Sequence, residues 1–138
     1  MIELFKSRLV LSALVFIFLF SACASTLKIS EELSPAELIQ RAQEASDRNR
    51  YNTALQYYQA LKDRNYNNID LIITAEYEIA FIHYKQGKYQ QAREEMDAVL
   101  EYFNTPDEEL LPQQFKRLAQ IVLKGIDEKE SRKPFFMK

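Results

Sequence analysis

Apolar residues fall into two regimes along this chain. The first is a run from Leu9 to Phe20, interrupted only by Ser12, preceded by Lys6 and Arg8 and followed by the small Ser21 and Ala22. Twelve residues suit the core of an export signal and fall short of the ~20 that span a bilayer. Taken generously from Leu9 to Leu27, the same stretch reads as an uncleaved anchor helix. Ser21, Ala22, Ala24, Ser25 and Thr26 weaken that second reading, because they stand where a span should still be apolar. The residues from Ala24 to Leu33 carry no pattern and predict a short tether.

Beyond Leu33 the spacing becomes helical. Ser34-Pro-Ala-Glu37 supplies a start signal: Ser34 to cap free amides, Pro35 at the first helical position, and Glu37 to bond back to the cap. A later helix, predicted over about Asp70 to Gln86, carries two stripes. Ile72, Ile79, Ala80 and His83 form one, assigned to the core; Thr74, Tyr77, Phe81, Tyr84 and Lys85 form the other. A last helix follows Thr105-Pro-Asp-Glu108 and Pro112, with Phe115, Leu118, Ala119, Val122 and Ile126 at helical spacing. Residues 131–138 read as a frayed tail, whose Phe135-Phe136 pair among basic residues is suited to tucking back or touching a membrane. Two Gly and four Pro are too few to punctuate a sheet of short strands, so the predicted class is all-α.

The helical part repeats itself. Ala42, Asn49, Tyr51 and Ala54 recur as Ala80, Gly87, Tyr89 and Ala92, each pair 38 positions apart. Small residues at Ala42 and Ala80 let a second helix approach closely. Asn49 and Gly87 suit the left-handed turn between the helices, and Ala54 and Ala92 would face the small residue opposite. This constellation resembles the tetratricopeptide repeat, most closely over Ile79-Ala80-Phe-Ile-His-Tyr84-Lys-Gln-Gly87-Lys-Tyr89-Gln-Gln-Ala92. Because that family repeats every 34 residues, four extra residues are expected in the Asn65-Tyr-Asn-Asn68 connection. The resemblance implies two repeats plus a C-terminal capping helix over 34–130. It also implies that Thr74, Tyr77, Phe81, Tyr84 and Lys85 line a groove for a partner's peptide or helix. The competing reading packs Tyr77, Phe81 and Tyr84 against the first or last helix.

Charge and composition narrow the chemistry. Without residues 1–22 the chain keeps 18 − 2 = 16 basic and 20 − 1 = 19 acidic side chains, leaving no surplus to neutralise nucleic acid. His83 is the sole His and Cys23 the sole Cys, so no pair exists to share a metal. There is no Gly-rich phosphate loop, and no nucleophile has a recognisable base. The acidic groups Glu94-Glu95-Asp97 and Asp107-Glu108-Glu109 read as solvated helix faces and helix starts. The expectation is a non-enzyme with no cofactor and no small-molecule substrate.

Phe20-Ser21-Ala22-Cys23 resembles the lipobox of bacterial lipoproteins, with Phe20 where that family usually has Leu. The resemblance implies a signal peptide over 1–22, a lipidated Cys23 and a tether over 23–33. It implies placement in the bacterial cell envelope, on the outer membrane facing the periplasm; Ala24 is not the Asp associated with inner-membrane retention. Lipobox, tether and repeats together resemble outer-membrane protein assembly lipoproteins of the BamD type, which implies the barrel-assembly protein as partner. The other readings are a periplasmic adaptor in secretion, motility or cell-wall assembly, and an accessory subunit that docks an enzyme.

Overall fold

The computed structural model describes residues 28–132. Their elements are five α-helices: α1 (Pro35–Asp47), α2 (Tyr51–Arg64), α3 (Ile69–Lys85), α4 (Tyr89–Glu101) and α5 (Gln113–Ser131). A 3-10 turn (Glu108–Leu110) lies before α5. No strand occurs among the described residues, so the chain is an all-α, helix-turn-helix array as its pattern predicts. The expected signal peptide 1–22, the expected lipid site Cys23 and residues 133–138 of the expected tail 131–138 lie outside the described residues.

α1 starts where its capping residues dictate. The Ser34 N–H donates to Glu37 Oε2 at 2.9 Å and the Glu37 N–H donates to Ser34 Oγ at 3.4 Å, closing a capping box behind Pro35. The Ser34 hydroxyl, donating to Glu37 Oε2 at 2.7 Å, and then the Ser34 N–H hold the Glu37 carboxyl below its ordinary pKa. The two repeat turns have the same construction. Asn49 and Gly87 both lie in the left-handed region, at φ 56° and 76°. The Asn49 N–H donates to Ser46 O and the Arg50 N–H to Ala45 O; the Gly87 N–H donates to Tyr84 O and the Lys88 N–H to His83 O. This is the paired closure of a Schellman turn, and it reverses the chain so that the next helix packs antiparallel.

The small residues of both repeats are buried. Ala42 and Ala54 are wholly buried in one core cluster with Leu38, Tyr58 and Leu61; Ala80 and Ala92 are wholly buried in a second with Met96, Val99 and Ile126. α3 lies between the clusters. Ile73, Tyr77 and Ala80 face the α4–α5 core, while Ala75 and Ile82 face the α1–α2 core.

Three expectations are corrected. The four surplus residues of the 38-residue spacing are not inserted in the 65–68 connection. α3 has 17 residues against 13 in α1, and a four-residue addition is close to one helical turn, so it lengthens the helix without changing its phase. The core stripe of α3 is carried by Ile73, Ala75 and Ile82 with Ala80 and His83, whereas Ile72 and Ile79 are half-buried. A helix sandwiched between two cores buries two opposite faces, which a single-stripe reading misses. On α5, Phe115, Ala119, Val122 and Ile126 are buried, but Leu118 is 38% exposed.

The last residues of the expected tether are tied to the array. Arg64 donates to Ser30 O at 2.9 Å and Ile29 O at 3.3 Å and pairs with Glu31, while Ile29 and Leu33 pack against the first core.

Candidate partner-binding site

The five residues expected to line a groove divide between two environments. Helical geometry places Thr74, Phe81 and Lys85 on one edge of α3, between its two buried faces; Thr74 and Phe81 are half-buried and Lys85 exposed. Thr74 Oγ1 donates to Asp70 O, closing on its own helix. Tyr77 and Tyr84 turn towards α5. Tyr77 is 5% exposed, its ring 5.2 Å from that of Phe115, and burial pushes its phenol up to about 12. The Tyr84 hydroxyl sits at Gly125, 3.0 Å from where a Cβ would lie, so the absent side chain admits the ring. For Tyr77 the structure therefore corrects the groove expectation in favour of core packing against the last helix.

An aromatic row results. Tyr77, Phe81 and Tyr84 stack in succession at 5.9 and 6.0 Å, and Tyr84 meets Tyr89 at 5.7 Å. Two cations lie over it: Lys85 Nζ is 5.1 Å from the Phe81 ring and 5.5 Å from Tyr51, and Lys129 Nζ is 5.9 Å from Tyr84 and 5.6 Å from Tyr89. Lys85 also hydrogen-bonds Ser46 Oγ, joining α3 to α1. Across the row, α5 contributes an apolar stripe that the core does not absorb. Leu118 and Ile121, 38% and 65% exposed, stand on the same side of α5 as Gly125. Phe81, Leu118 and Ile121, rimmed by Lys85 and Lys129, form the candidate site. The sequence pattern groups Leu118 with the core stripe and does not distinguish Ile121; their spacing to Gly125 is the signal that sets them apart.

Beneath Lys85, Glu78 is largely enclosed. Burial raises its carboxyl above the usual range, and the Lys85 charge and the nearby Tyr58 hydroxyl oppose that shift. The Tyr58 hydroxyl approaches Glu78 without a hydrogen bond of regular geometry, and burial, then the Glu78 and Asp47 charges, push it well above a free phenol. His83, buried as the sequence suggested, pairs through Nδ1 with Glu95 Oε2 at 2.7 Å. This contact ties α3 to α4. No group of three or more metal-ligating side chains occurs among the described residues. None of their helices is long and apolar enough to cross a membrane.

The chain is 35% identical over 117 residues to an uncharacterized protein of Treponema pallidum (strain Nichols), an alignment covering 83% of this chain and 47% of the relative. It thus spans about half the length of the curated relative it matches. No protein-family model and no solved structure matches the chain.

Proposed function

We propose that this protein is a lipid-anchored scaffold of the bacterial cell envelope that binds another polypeptide along the α3–α5 face. The observation carrying this reading is the exposed Leu118 and Ile121 pair of α5, on the side of that helix where Gly125 receives Tyr84 of the α3 aromatic row. Aromatic and aliphatic anchors on a rigid helical face are the usual hot spots of peptide and helix recognition. The partner suited to it is an amphipathic segment with apolar anchors and acidic flanks. Membership of the tetratricopeptide-repeat family is part of the same proposal, supported by the matched turns at Asn49 and Gly87 and the buried Ala pairs. The barrel-assembly protein is one partner consistent with it; adaptor roles in secretion, motility or cell-wall assembly are the alternative. In either role the chain contributes binding and no chemistry of its own.

Anchoring rests on Phe20-Ser21-Ala22-Cys23. A processed lipoprotein carries two or three acyl chains, enough for lasting membrane attachment where one is marginal. The test combines two variants. Ile121→Lys should abolish co-purification of a discrete envelope partner while the thermal melt stays within a few degrees of the parent. Cys23→Ala should eliminate labelling by radioactive palmitate and release the protein from membranes. Unchanged co-purification with Ile121→Lys would refute the binding face, and persistent label in Cys23→Ala would refute the anchor.

A further inference from the structure

A second apolar surface lies on the other side of the array. Ile69 at the start of α3, Ala98 and Tyr102 of α4, Thr105, and Leu111 before α5 line an open hollow of about 440 Å³. Ile69 is 41% exposed. The rim is acidic: Glu101 lines the hollow, and Glu94 and Asp97 continue the same exposed face of α4. Glu94 and Glu101 accept hydrogen bonds from the neutral amides of Gln90 and Asn104, which leave their charges unbalanced. An apolar floor beside a line of carboxylates selects an aromatic segment flanked by cations.

The chain carries such a segment itself, Arg132-Lys-Pro-Phe-Phe-Met-Lys138, directly after α5. It cannot serve its own hollow. α5 is 19 residues long, which separates its ends by about 28 Å, and Leu111 lies at the far end. Phe135 and Phe136 are three and four residues past Arg132 and reach at most about 14 Å. The nearer apolar strip of Phe81, Leu118 and Ile121 is edged by Lys85 and Lys129, which repel a basic peptide. We propose that the Phe135-Phe136 segment of one copy docks into the acidic-rimmed hollow of a second copy. Reciprocal exchange of the two segments closes a two-fold dimer, and one-way docking builds rings or short rows of the protein.

The test uses the full chain in detergent, with Phe135 and Phe136 both replaced by Ser so that the site is free. The probe is a fluorescent peptide of residues 132–138, followed by polarisation. Saturable binding is expected, with no binding of the same peptide carrying Ser for both Phe residues. Glu101→Lys should weaken binding about five- to tenfold, as expected for reversing one rim charge. Ala98→Trp, which fills the hollow from an exposed position, should abolish it, and Ile121→Lys should leave it unchanged. In sedimentation, the unaltered chain should form larger species that the double Phe→Ser variant does not. Absence of saturable binding, binding indifferent to both hollow variants, loss with Ile121→Lys, or capture of the peptide only by vesicles of 3:1 phosphatidylcholine and phosphatidylglycerol would each overturn the proposal.

Discussion

Asn49 and Gly87 show how single residues set the course of this chain. Both occupy the left-handed region that a Cβ disfavours, and both close the same pair of backbone bonds. Gly87 has open space around its missing Cβ, so replacing it isolates backbone strain from steric clash. Gly87→Ala should therefore cost about 1 kcal/mol in chemical denaturation, with Asn49→Gly neutral or slightly stabilising; equal melts for Gly87→Ala and parent would contradict the turn assignment. Glu78 behaves in the opposite sense to an ordinary surface carboxylate. Burial raises its pKa in the folded state, so its contribution to stability is fully present below the unfolded value near 4.5 and is lost as pH rises through the folded value. Glu78→Gln should accordingly raise the melting temperature at pH 7 and converge with the parent near pH 4. A variant less stable than the parent at pH 7 would show that the Lys85 attraction outweighs burial.

At the scale of elements, α3 organises the molecule because it is buried on two sides. Ile82 is fully enclosed in the α1–α2 core, whereas Ile72 is half-buried. Ile82→Ala should cost about 3 kcal/mol and Ile72→Ala under about 1.5 kcal/mol in the same assay. The reverse order would restore Ile72 to the core stripe. The start of α1, the two turns and the Ala pairs were legible because each depends on local chemistry within a few residues. The second buried face of α3 was not legible, since a helix serving two cores presents apolar residues around most of its circumference. Tyr77 was indistinguishable from Phe81 for a related reason. The two rings are four residues apart, and only the position of α5 decides which is covered. Leu118 and Ile121 were obscured because they border a true core stripe at the same helical period.

For the whole molecule, the arrangement separates two surfaces of opposite character: an apolar strip with cationic edges on the α3–α5 face and an apolar hollow with an acidic rim beside α4. Residues 29–33 hold the chain entering α1 against the first core. In the scaffold role proposed above, binding energy would be concentrated in a few anchors on fixed faces. The most direct test places a photo-crosslinking amino acid at Ile121 or, for comparison, at Gln120, in the full chain within intact cells. The account predicts one discrete protein adduct from position 121 and none from position 120. No adduct at 121, or the same adducts at both positions, would contradict it.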